Sequence, residues 1–102
     1  MEKIKDYRFD FEGICKDVLV YGADVEKMQE NVDKLSVLVR SVEWYYGFVE
    51  DSDIDAKESI LNRVKSLKSD IAIMAHKIYR FIDTDSFTDY YSVVKGCVDI
   101  IG

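Results

Sequence analysis

Residues 4–49 read IKDYRFDFEGICKDVLVYGADVEKMQENVDKLSVLVRSVEWYYGFV, and the spacing of apolar side chains in this stretch decides the fold. Counting from Ile4 in alternating steps of three and four gives Ile4, Tyr7, Phe11, Ile14, Val18, Tyr21, Val25, Met28, Val32, Leu35, Val39, Val42, Tyr46 and Val49, every one apolar or aromatic. A 3.5-residue period held this long means one apolar stripe along a helix that packs on another helix, knobs into holes. Valine lowers helix propensity by roughly a few tenths of a kcal/mol because its χ1 is restricted, and burial of the stripe outweighs that. Lys16, Asp17, Glu26, Lys27, Glu30, Asn31, Asp33, Lys34 and Arg40 fall on the outer face. Gly13 and Gly22 each cost about 1 kcal/mol against alanine, yet the phase runs through both. The spacing therefore predicts one continuous helix over about residues 5–47. A break at Tyr21-Gly22-Ala23-Asp24, with Asp24 capping a new helix, is the alternative; it would turn a hairpin into a short bundle.

Working outward, Gly47 is a plausible C-terminal stop, and Glu50-Asp51-Ser52-Asp53 is the polar cluster able to form a loop. Ser52 followed by Asp55 has the spacing of a capping box, with acidic residues well placed for the first turn of a helix. A second seam follows in Ile60, Val64, Leu67, Ile71, Met74, Ile78 and Phe81, widened by Leu61, Ala75 and Ile82. Lys57, Arg63, Lys65, Lys68 and Lys77 stay outside it, and the predicted helix spans about 53–83. Asp83-Thr84-Asp85-Ser86 breaks the pattern, and Ser86 with Asp89 forms another capping-box spacing. Phe87, Tyr90, Tyr91, Val94, Cys97, Val98 and Ile101 then recur at helical spacing and predict a third helix over about 87–100. The expected fold is all-α: residues 1–102 form one helical-hairpin domain, its two long helices antiparallel because their connection is short, with a short third helix.

Composition agrees. The 102 residues are 48% hydrophobic and 33% charged, a globular mixture with room for one modest core. Proline is absent and glycine numbers five, too little turn chemistry for a many-stranded sandwich or barrel. Twenty Asp and Glu against fourteen Lys and Arg give a net charge of −6. Such a surface repels nucleic-acid phosphates and anionic lipid and points to a protein partner. The N-terminus, Met1-Glu2-Lys3-Ile4-Lys5-Asp6, begins with charge and develops no apolar leader core, and apolar runs such as Val18-Leu19-Val20-Tyr21 are far too short to span a bilayer. The expected location is the cytoplasm, without membrane insertion, and any export would bypass a cleavable signal peptide.

Chemistry has little to stand on. His76 is the single histidine and has Lys77 beside it, as a solvated or half-buried side chain would. Nucleophile-elbow, phosphate-loop and zinc-protease motifs are missing. Asp51, Asp53 and Asp55 alternate like a calcium loop, but Ala56-Lys57-Glu58 follows without the required glycine, and helix capping explains them better. Cys15 and Cys97 form no Cys-x-x-Cys pair and read as small buried or half-buried thiols. Neither an enzyme, a metal site nor a cofactor is expected.

Two local features remain. Trp44-Tyr45-Tyr46-Gly47-Phe48 sits at the predicted bend, and these rings cannot all face one stripe: they either wrap the end of the bundle or present an aromatic patch to a partner. Phe81 and Asp85 are i,i+4 neighbours that set an aromatic ring beside a carboxylate, and Tyr79 with Asp83 repeats the relation one face over. The plain alternative is a last core residue followed by a solvated helix end.

Together these features resemble the small helical-hairpin proteins of the type VII secretion pathway, the WXG or Esx-like family. Those carry Trp-x-Gly at a mid-chain bend and Tyr-x-x-x-Asp/Glu after the second helix. Here the bend reads Trp44-Tyr45-Tyr46-Gly47, one residue longer, so the sequence is more similar to the small helical partners of LXG toxins, some of which carry Phe-x-x-x-Asp near the C-terminal end. The resemblance implies a non-enzymatic partner of the helical N-terminal domain of a larger toxin, acting in its export, with a second small helical protein and the secretion machinery as further partners. Phe81, Asp85, Tyr79 and Asp83 would be the export-signal residues. The apolar seam and the bend, in Val18, Val25, Met28, Val32, Leu35, Val39, Trp44, Tyr45 and Tyr46, would be the partner interface. Two other readings stand beside it: an acidic immunity protein or antitoxin that covers a toxin's basic site, and a helical homodimer.

Overall fold

Four helices in sequence make up the protein, in a computed structural model that describes residues 2–102: α1 (Glu2–Tyr21), α2 (Val25–Glu50), α3 (Lys57–Thr84) and α4 (Phe87–Ile101). The all-α expectation holds, and among the described residues there is no strand. The predicted helix over 5–47 does not hold, because it is two helices. Gly22 takes φ +64°, a left-handed conformation open to glycine, and its N–H closes α1 on the Val18 carbonyl at 3.0 Å. Asp24 then caps α2, its carboxylate accepting from the Lys27 N–H at 3.2 Å. Periodicity could not reveal this turn, since both helices bury the same three-and-four spacing in one core. The two seam residues nearest the break, Tyr21 and Val25, are the ones left exposed.

Short connections make each helix antiparallel to the next, and side-chain contacts fix the register. Tyr7 of α1 packs edge-on against Tyr45 of α2, Lys68 of α3 pairs with Glu43 of α2, and Phe81 of α3 lies under Tyr90 of α4. The last helix returns to the first: Arg8 donates to the Ile100 carbonyl at 3.2 Å. The helices therefore form a ring in which α1 touches α2 and α4, α3 touches α2 and α4, and contact across the α1–α3 diagonal is slight. α2 and α3 share the most extensive seam, along a body 47 × 23 × 17 Å.

The core follows the second predicted seam closely. Ile60, Val64, Leu67, Ile71, Met74, Ile78 and Phe81 are all buried. Met28, Val32, Leu35, Val42 and Val49 face them from α2, while Ile4, Phe11, Cys15 and Val18 enter from α1 and Val93 and Cys97 from α4.

Boundaries at the α2–α3 bend differ from expectation. Gly47 does not end α2; burial of Val49 keeps the helix going to Glu50. The Ser52–Asp55 capping box does not form either. The Ser52 hydroxyl donates backwards to the Phe48 carbonyl at 2.6 Å, and α3 begins after Ala56, a left-handed residue without a side-chain cap. The second capping box does form. Ser86 caps α4, accepting from the Asp89 N–H at 3.2 Å.

Candidate functional site

The outer surface of α1 and α2 is one of two places where apolar side chains remain uncovered together, the other being Phe87, Tyr91 and Val98 along α4. On α2, Val37, Ser41, Trp44 and Phe48 recur at steps of four, three and four, so they form a second stripe turned away from the core. Trp44 is 68% exposed and Phe48 57%, their rings stacked with centroids 5.8 Å apart. Across from them on α1, Phe9 is 74% exposed. Between the two helices runs a groove of about 730 Å³ with Gly13, Ile14, Val37 and Leu38 among its walls. It continues past Tyr7 to Trp44. A Cβ added at Gly13 would meet nothing within 4 Å, so the fold itself does not require a glycine at this helical position.

The charges around the groove differ from the chain as a whole. Asp10, Asp17, Asp33 and Lys34 line one part, and Lys3 and Arg40 line the other. The formal charges cancel, on a protein of net charge −6. Lys3 also lies over the Tyr7 ring, 5.7 Å from its centroid. Burial first, then Tyr45 and Asp6, push the Tyr7 hydroxyl above its ordinary pKa, so Tyr7 is a neutral wall.

The predicted interface residues divide between core and surface. Val18, Met28, Val32 and Leu35 are fully buried in the protein's own core, Val39 is half-buried, and Val25 is exposed beside the turn. The seam is thus satisfied internally by the ring of four helices. It is not a free face. In the aromatic cluster, Tyr45 turns in against Tyr7, Tyr46 is half-buried beside Lys65 and Lys68, and Trp44 faces out. Both readings of the cluster hold for different rings. Phe9 and Val37 were not among the predicted interface residues. Their signal was available: they are apolar residues that miss the three-and-four count.

Phe81 and Asp85 do not share a surface. Phe81 is 2% exposed, because α4 folds back and places Tyr90 against it at 5.4 Å. Asp85 is exposed and left-handed, ending α3 with its N–H on the Phe81 carbonyl at 2.7 Å. Tyr79 and Asp83 are both exposed, one turn apart. Nearby, Asp89 accepts from the Thr84 hydroxyl at 2.6 Å and the Ser86 hydroxyl at 2.9 Å and pairs with Arg80. Those hydroxyl hydrogen bonds, with Arg80 assisting, hold its carboxyl below the ordinary value of 3.8.

Among the described residues no group of three or more His, Cys, Asp or Glu is placed to hold a metal ion, and no helix is long and apolar enough to cross a membrane. Comparison with known protein families, with curated proteins and with solved structures gives no match to this chain.

Proposed function

We propose that this protein is a non-enzymatic binding protein that holds a helix of a larger partner against the outer face of α1 and α2. One observation carries the reading: Trp44 and Phe48 stand stacked and uncovered beside an apolar groove, on a helix whose inner face is already fully packed. Each large ring brings ~150–250 Å² to an interface, and covering apolar surface is worth about 25 cal/mol per Å². Exposed tryptophan and aromatic stripes are the anchors that dominate interface energy. Following the type VII resemblance, the partner is the helical N-terminal domain of an LXG-type toxin and the complex is made for export. In place of the buried seam, the contact is the Phe9–Val37–Trp44–Phe48 surface. In place of Phe81, the exposed pair Tyr79 and Asp83 is the element offered to the secretion machinery, with Asp85 beside it.

Titration calorimetry of the protein against a toxin N-terminal domain encoded next to it tests the reading. A groove-held helix gives a large negative ΔCp and weak salt dependence, and Trp44→Ala weakens binding at least tenfold while thermal unfolding is unchanged. Full affinity in Trp44→Ala and Phe48→Ala would remove the surface from the proposal. Steep salt dependence would instead support the acidic inhibitor. If Tyr79→Ala and Asp83→Ala leave toxin export intact in cells, these residues are not the signal.

A further inference from the structure

The two cysteines lie 82 positions apart in sequence and meet in the fold. Two contacts fix how α1 and α4 run past each other: Arg8 reaches Ile100 near one end, and Gly22 sits beneath the Tyr90 hydroxyl at the other. Counting inward from both along antiparallel helices brings the middle of α1 to the middle of α4, and therefore Cys15 to Cys97. Both are completely buried. Each thiol shifts the other's pKa, that of Cys15 upward and that of Cys97 downward, as adjacent groups do. Met74 of α3 closes the third side, its sulfur 3.8 Å from that of Cys97. Gly96 packs against this sulfur side chain, with the Met74 methyl 2.9 Å from where a Cβ would stand.

We infer that Cys15 and Cys97 are a redox pair, which a small hydroperoxide converts into a disulfide joining α1 to α4. The oxidant class follows from burial: thiols with no exposed surface exclude bulky disulfide reagents, while a peroxide of water's dimensions enters when α4 moves. That helix buries only Val93, Gly96 and Cys97, so it is the element held by the fewest side chains. Cys97 attacks first. The neighbouring Cys15 thiol and the charge of Lys77 favour its thiolate, whereas the Cys97 thiol beside it and burial leave Cys15 protonated. The thiolate sulfur takes one peroxide oxygen as the O–O bond breaks, giving a sulfenic acid and, with a proton, one water. The Cys15 sulfur then displaces that oxygen, which leaves as a second water with the thiol proton. Two thiols and one hydrogen peroxide thus give one disulfide and two waters, the sulfurs losing the two electrons that the peroxide gains. The product closes a loop containing most of the chain and fastens the lightest helix.

The test uses the full-length reduced protein treated with hydrogen peroxide, followed by intact mass and thiol titration in denaturant, with reduced glutathione as the reference thiol. The expected result is loss of both thiols together, a monomer lighter by two hydrogens, and a Tm raised by ~10 °C or more and returned by dithiothreitol. Cys15→Ala should gain oxygen instead of losing hydrogen, whereas Cys97→Ala, left with the protonated thiol, should keep its mass. A circular dichroism melt of each variant shows whether the substitution leaves the helices folded, and the wild-type result stands without them. The inference is overturned if the folded protein keeps both thiols under conditions that oxidise glutathione, if wild type gains oxygen mass, or if disulfides form only between chains.

Discussion

α2 and α3 share the longest seam of the molecule, yet they distribute their apolar residues differently. α3 puts Ile60, Val64, Leu67, Ile71, Met74, Ile78 and Phe81 on one buried stripe, and its bare large residues, Ile73 and Tyr79, stand apart from one another. α2 buries an equally continuous stripe but adds a second, Val37–Trp44–Phe48, round the helix from it. A helix with one apolar face is explained by its own fold. A helix with two is not, and the second face is where a partner is to be sought.

The largest test of this contrast is in the buried stripe. Ile71→Ala should cost about 2–5 kcal/mol in urea unfolding, because Ile71 is completely buried and the surrounding helices cannot collapse onto the cavity. Next comes the turn that separates α1 from α2. Gly22→Ala should cost about 1 kcal/mol, since φ +64° is strained for any residue with a Cβ. If the substitution stabilised the protein instead, the two helices would be one continuous rod. Ser86→Ala should also cost about 1 kcal/mol by removing the α4 cap.

Asp89 adds a pH signature to that end of the molecule. Its folded pKa lies below the ordinary 3.8, so its contribution is present above the unfolded value and is lost as pH falls through the folded one. The Tm gap between wild type and Asp89→Asn should therefore hold at neutral pH and close below that ordinary carboxylate value. The smallest change is expected at the outer stripe, where Trp44→Ala should move stability by less than about 0.5 kcal/mol. A loss comparable to that of Ile71→Ala would mean that Trp44 is structural and would erase the contrast.

The same contrast explains what could be read without coordinates. The α3 stripe was legible to the last residue, because a single apolar face with charged flanks leaves one way to pack. The Ser86 cap was legible because serine and Asp89 stand at the required spacing just after the pattern breaks. The turn at Gly22 was only an alternative, since a three-residue turn that preserves phase leaves no trace in a period count. The seam was found, but not its use: a two-helix hairpin would have left it for a partner, and α1 and α4 close over it instead. Phe81 was assigned two incompatible places, the seam and the surface, and the return of α4 decided for the seam. Trp44 was identified from the crowding of rings, whereas Phe9 and Val37 looked unremarkable until the groove brought them together.

The contact from Arg8 to Ile100 has a kinetic consequence. Three of the four helix pairs join neighbours in sequence and can zip up as local hairpins. The fourth joins residues 92 apart and bears the greatest loop-closure entropy. Assembly should end, and forced opening begin, where the final helix meets the first.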